Sequence, residues 1–156
     1  MSFDIFLGLK GVAMSTEKCF FEFLHCRVET EDNFESGKEL PAEATVRIKI
    51  GEEIEHRVAE GNGPINALDA AMRKALEPHF PCLKNVQLID FWVRIHNGSA
   101  GTAASVDVLI DFCDGEREWV KKANSTNIIT ASALSLMEGF REAISASQEK
   151  LASAVN

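Results

Sequence analysis

The stretch Ala44-Thr45-Val46-Arg47-Ile48-Lys49-Ile50 returns later in the chain as Ala104-Ser105-Val106-Asp107-Val108-Leu109-Ile110, and this recurrence decides the fold. In both, apolar side chains alternate with polar ones, the period-two pattern of a strand with one buried and one wet face. Outward from the first copy, Phe23 to Val28 forms a strand-like run before it. Ile54-Glu55-His56-Arg57-Val58 follows across the short turn Gly51-Glu52, and Gly61-Asn62-Gly63-Pro64-Ile65 opens a helix. Outward from the second, Ile89-Asp90-Phe91-Trp92-Val93 precedes it and Glu116 to Lys122 follows across Asp114-Gly115. Ser125-Thr126-Asn127-Ile128-Ile129 then opens another helix. The offset between matching segments stays between about 60 and 65 residues, the mark of an internal repeat.

Each segment supports the parse by its own physics. Ile54, His56 and Val58 alternate with Glu53, Glu55 and Arg57, which predicts a strand whose apolar side faces the core. Val106, Val108, Ile110 and Phe112 alternate with Ser105, Asp107, Leu109 and Asp111 in the same way. Pro64 is preorganised for a first helical position, and Ile65, Leu68, Met72, Ala75 and Leu76 form one apolar stripe that Glu77-Pro78 ends, predicting a helix over 64–76. Ser125 or Thr126 is positioned to cap a longer second helix. Its stripe is Ile129, Ala133, Leu136, Met137, Phe140 and Ile144, and Ser- and Ala-rich turns fray toward Asn156. Stripes of this kind are core far more often than cofactor sites.

The order strand-strand-strand-helix, twice, specifies an α+β fold: two pseudo-symmetric βββα units, antiparallel sheets covered by helices. The first unit takes about residues 19–77 and the second about 86–150 of a domain over 19–156; residues 1–18 read as a tail or linker remnant, with Met14 as an alternative start. A unit of roughly 55 residues buries too little apolar surface to stand alone, so the copies should pack together and a homodimer is expected. The polar connection Glu29 to Pro41 carries no evident chemistry.

With 156 residues, 46% hydrophobic and 26% charged, the chain suits one globular domain and leaves no room for a second large one. A net charge of −8 has the wrong sign for nucleic acid or anionic lipid. No apolar run approaches the roughly 20 residues of a membrane-spanning helix, and Asp4 stands where a signal peptide carries positive charge; a cytoplasmic protein is expected. Cys19, Cys26, Cys82 and Cys113 are widely spaced and read as reduced thiols. Neighbouring His25 and Cys26 point to opposite faces of a strand and so serve no common site. His25, His56, His79 and His96 lack metal-ligand spacing. No metal site and no cofactor site are legible.

Four separated motifs carry a resemblance. Glu60-Gly61-Asn62-Gly63-Pro64-Ile65-Asn66-Ala67-Leu68, Leu88-Ile89-Asp90-Phe91, Gly101-Thr102-Ala103-Ala104-Ser105-Val106 and Ser125-Thr126-Asn127-Ile128-Ile129-Thr130-Ala131-Ser132 resemble the C-terminal regulatory domain of 2-isopropylmalate synthase and citramalate synthase, over about residues 19–145. That family condenses acetyl-CoA with an α-keto acid in a metal-dependent (β/α)8 barrel, which this chain has no room to contain. The resemblance implies a non-catalytic module that binds a branched-chain amino acid, leucine or isoleucine, to inhibit a barrel in cis or in trans.

Such a ligand needs anion donors, acceptors and an apolar pocket together. Gly61-Asn62-Gly63-Pro64-Ile65-Asn66 leads into a helix whose first N–H groups are unpaired at the positive end of the dipole, a carboxylate seat. The two glycines would admit close backbone approach. By the family pattern Asp90, Phe91, Ala103 and Ala104 supply the partner surface. Phe91 stands where relatives often carry Tyr, lacks its hydroxyl, and shares a face with Ile89, Val93 and Ile95 that argues for core packing. Asp90 fits either the ligand ammonium or a solvated strand position. Two other readings stand beside this one: a dimerisation module without ligand, and a small thioesterase-like α+β enzyme using Asp90 or Glu138.

Overall fold

The computed structural model describes residues 19–155. Residues 1–18, with the tail expected there, lie outside the described residues. The first unit contains strands β1 (Glu22–Glu29), β4 (Ala42–Ile50) and β5 (Glu53–Gly61), joined as an antiparallel sheet in the order β1-β4-β5 and followed by helix α1 (Pro64–Leu76). The second contains β6 (Gln87–Ile95), β7 (Val106–Cys113) and β8 (Glu118–Ser125), an antiparallel sheet in the order β6-β7-β8, followed by α2 (Ile128–Ser153). The repeat extends to its irregularities. A bulge interrupts β1 between Phe23 and His25, and another interrupts β6 between Leu88 and Asp90. The connection at 29–41 holds a small hairpin of two-residue strands, β2 (Asp32–Asn33) with β3 (Lys38–Glu39), where the sequence suggested only a polar link.

The alternation of β4 and β7 buries Ala42, Ala44, Val46 and Ile48 in one sheet and Val108, Ile110 and Phe112 in the other. Against them α1 packs Leu68, Met72 and Leu76, and α2 packs Leu136, Phe140 and Ile144, at about 1.5–3 kcal/mol per fully buried large side chain. These residues and Leu83, from a 3-10 turn over Pro81–Asn85, form one core. The units are tied across it: Arg73 of α1 lies over the Phe140 ring at 5.2 Å, and Arg141 of α2 donates to Phe21 O at 3.0 Å. Helix α1 stops as expected at Glu77-Pro78, and its last carbonyl is bonded because His79 and Phe80 N–H both donate to Leu76 O.

Three expectations are corrected. In β5 the apolar residues face outward: Ile54 is 50% and Val58 44% exposed, and His56 is exposed with them. The register places Gly61 and Ala59 opposite Ala42 and Ala44, so the helix lies over small residues, and Lys74 of α1 donates to Val58 O. Glu55 and Arg57 share this helix side but pair with each other, and Glu55 also with His79, at the far end of α1. Second, α2 is capped by Asn127, whose Oδ1 accepts from the N–H groups of Ile129 and Thr130, while Ser125 Oγ accepts from Asn127 N–H. Third, Phe91, Val93 and Ile95 are not core. They lie on the same sheet face as Ile110, Val108 and Val106, but α2 covers only β7 and β8, and all three are exposed.

Candidate functional site

The two helix starts follow equivalent strands but finish differently. Gly63 is the N-cap residue of α1, Pro64 takes the first turn, and no side chain caps the helix. Ala67 N–H donates to Gly63 O at 3.0 Å, the first intrahelical bond. The N–H groups of Ile65 and Asn66 stand ahead of it at the positive end of the dipole with no capping side chain. Asn66 Oδ1 turns back to accept from Asn62 N–H at 3.0 Å, fixing the approach. Only one of the two glycines is sterically required. A Cβ on Gly61 would lie 2.4 Å from Ala67 N and 2.5 Å from Asn66 Oδ1, whereas one on Gly63 meets nothing within 4 Å. Gly61 therefore admits the chain's own helix start, and the space beside Gly63 is open.

From this start a cleft of about 570 Å3 runs between α1 and the beginning of β6, lined by Ile65, Asn66, Asp69, Arg73, Val86, Gln87, Leu88 and Phe91. Its chemistry is graded. Ile65, Val86, Leu88 and Phe91 are apolar; Asn66, Asp69 and Arg73 form a polar row at helical spacing along α1. Arg73 Nε donates to both Asp69 oxygens at 3.1 and 3.0 Å, and its Nη1 to Leu83 O at 3.0 Å. Burial pushes the Asp69 carboxyl up from its ordinary range, an effect that Arg73 opposes and Glu77 adds to. A cation brought beside Asp69 would relieve that penalty, and an anion at the helix start would meet the bare N–H groups.

Of the residues expected at a binding site, the cleft brings together Ile65, Asn66 and Phe91. Gly61, Asn62, Gly63 and Pro64 form the approach to the helix without lining the cleft. Asp90 turns the other way: its Oδ2 accepts from Trp92 Nε1 at 2.6 Å and its Oδ1 from Phe91 N–H at 2.8 Å. Ala103 closes an exposed 3-10 segment over Gly98–Ala103 and Ala104 is buried after it, both outside the lining. Sequence reasoning missed Asp69 and Arg73, although they stand three and seven residues after Asn66 on one helix face.

Two further polar clusters lie elsewhere. Asp107, buried on β7, accepts from Asn124 at 2.8 Å and pairs with Lys122 at 2.8 Å and His96 at 3.1 Å; the Lys122 and Asn124 bonds hold its carboxyl well below the usual carboxylate range. Ligand atoms of Glu53, Glu55 and His79 come within 4.8 Å of one another, a grouping the sequence spacing did not show. His79 Nε2 is 2.8 Å from Glu55 Oε1 and Arg57 pairs with the same carboxylate, so the cluster is a polar tie between β5 and the chain beyond α1. The acids weighed for an enzyme are engaged: Asp90 as described, Glu138 with Arg141 at 2.7 Å.

The family model of the LeuA allosteric (dimerisation) domain matches residues 4–144, a span that takes in most of the expected tail. An (R)-citramalate synthase of Geobacter sulfurreducens is 44% identical over 137 residues, covering 88% of this chain and 26% of that protein. One from Aquifex aeolicus is 52% identical over 99 residues, 64% of this chain and 19% of its own length. A 2-isopropylmalate synthase of Methanocaldococcus jannaschii is 30% identical over 115 residues, 74% of this chain and 20% of its own length. The chain thus spans about a quarter or less of these relatives. The family model spans nearly the whole chain, and the chain belongs to the LeuA allosteric (dimerisation) domain family.

Proposed function

We propose that the chain is the effector-sensing and dimerising module of an acetyl-CoA-dependent α-keto acid condensing enzyme of the citramalate or 2-isopropylmalate synthase type, and that it binds a branched-chain amino acid, leucine or isoleucine, in the cleft between α1 and β6. The observation that carries this reading is the uncapped start of α1 opening onto a cleft with an apolar wall and one acidic side chain. The ligand carboxylate would sit on Ile65 and Asn66 N–H, its ammonium beside Asp69, and its aliphatic group against Val86, Leu88 and Phe91. Residues from both units line the cleft, so a ligand that favours one packing of the units shifts a population that a catalytic barrel can sense. The coupling range for such linkage is about 1–3 kcal/mol. Catalysis would reside in the barrel, with no cofactor or metal held here.

Calorimetric titration of the chain with leucine, isoleucine and valine tests this. One of the three should release or absorb heat saturably, and at about 100 times Kd should stabilise the fold by about 2.7 kcal/mol, read as a higher Tm. No heat and no shift of Tm with any of them would overturn it. A second reading, a dimerisation module without a ligand, draws on the fact that Asp69 and Arg73 already satisfy each other. The same titration separates the two.

A further inference from the structure

We infer that β6 is the dimer seam: two copies of this chain join β6 to β6 antiparallel about a two-fold axis at Trp92, making one six-stranded sheet from two three-stranded ones. The inference rests on the dimerising role proposed above and adds the surface and its register. Strand β6 pairs only with β7 among the described residues, so its other edge is open. Open edges are ordinarily blunted by charge, proline or cover. This one is apolar at its centre, with Trp92 50%, Val93 40% and Phe91 38% exposed. The matching edge strand β1 differs, because its helix-side residues Cys26 and Val28 are partly buried against the core.

The occupant follows from self-complementarity. An interface about a two-fold axis must fit itself. Antiparallel pairing centred on Trp92 places Trp92 opposite its own copy, Phe91 opposite Val93 of the second copy, and Asp90 opposite Arg94. Apolar side chains then meet apolar ones, and the only two charges in the stretch meet with opposite sign, twice. The backbone agrees with this register. His96 N–H donates to Ser105 O at 2.9 Å, continuing the ladder with β7, so the even-numbered residues turn their backbone groups toward β7 and the odd-numbered Phe91 and Val93 turn theirs to the free edge. Phe91 N–H has no strand partner and donates instead to Asp90 Oδ1 at 2.8 Å. Pairing would hand that N–H to Val93 O of the second copy and free Asp90 Oδ1 for Arg94 of that copy, while Oδ2 keeps its bond from Trp92 Nε1. The bulge at Leu88/Asp90 bounds the paired segment at one end.

Charge exchange tests the seam. In sedimentation equilibrium the unaltered chain should be a dimer; Asp90→Arg or Arg94→Asp alone sets like charges opposite each other twice and should raise the dimer Kd about tenfold or more. The double variant restores opposite signs and should recover Kd to within about threefold of the unaltered chain. A cross-link keeps the test independent of how well these variants fold. Trp92→Cys in a Cys19→Ser background places two thiols at an antiparallel pair whose Cα atoms are about 4.5 Å apart, within disulfide range, and should give a covalent dimer on mild oxidation that Cys19→Ser alone does not. A dimer that ignores both single charge reversals and forms no cross-link through position 92 overturns the seam and leaves the dimerising role standing. A chain that is monomeric throughout the micromolar range overturns both.

Discussion

Helices α1 and α2 begin at matching places in the two repeats, after β5 and β8, yet only one start is closed by the protein itself. Asn127 caps α2 through two N–H groups, whereas α1 enters through Gly63-Pro64 with none capped by a side chain and a cleft beside it. The edge strands differ in the opposite sense: β1, in the unit with the open helix start, is partly covered, and β6, in the unit with the capped one, is exposed from Ile89 to Ile95. Each unit of the duplicated topology is filled where its twin is open, the first along its edge strand and the second at its helix start. Unfilled positions on a repeat whose twin shows how to fill them are where a ligand or partner is to be sought.

Substitutions at matching positions sharpen that contrast. The largest effect is expected at Gly61→Ala, because its Cβ would meet the backbone of Ala67, which cannot yield; overpacking of this kind should cost about 3 kcal/mol in urea unfolding. Ser125 holds the matching place before α2 and carries a side chain there without difficulty. Next comes Gly139→Ala. Gly139 stands eleven residues after the start of α2, as Ala75 does in α1, and a Cβ there would lie 2.0 Å from the Phe112 ring, itself stacked on Trp119 at 5.7 Å. Strain of about 3 kcal/mol less about 1 kcal/mol of helix propensity leaves a net loss near 2 kcal/mol. Asn127→Ala removes the α2 cap and should lower stability by about 1 kcal/mol by the same measurement. Gly63→Ala should stay within about 0.5 kcal/mol, since its φ of 169° is extended backbone and its surroundings are open. A large loss at Gly63 and none at Gly61 would invert the assignment of open and filled space.

Much of the fold was legible because β4 and β7 alternate cleanly and both helices carry a single apolar stripe. Strand β5 misled because the residues beneath α1 are Gly61 and Ala59, too small to register as a hydrophobic face, while Ile54 and Val58 point outward. β6 misled for the opposite reason. Phe91, Val93 and Ile95 have the pattern of a buried face, and no element among the described residues covers them. At the candidate site Ile65, Asn66 and Phe91 were legible from motif and helix start. Asp69 and Arg73 were hidden beside the stripe that marked α1 as core, and Val86 to Leu88 arrive by a turn whose path no local pattern sets. Of the two readings of Asp90, its bonds to Phe91 N–H and Trp92 Nε1 favour the solvated strand position, because strand parity sends it to the face opposite Phe91.

The most direct measurement is the set of backbone amide shifts in a nitrogen-15 correlation spectrum as leucine or isoleucine is added. Ile65 and Asn66 should move saturably with one of the two, together with Phe91 across the cleft, while the capped amides of Ile129 and Thr130 stay in place. Unmoved amides at 65 and 66, or shifts that appear first at 129 and 130, would contradict the assignment of the open helix start as the seat of the ligand.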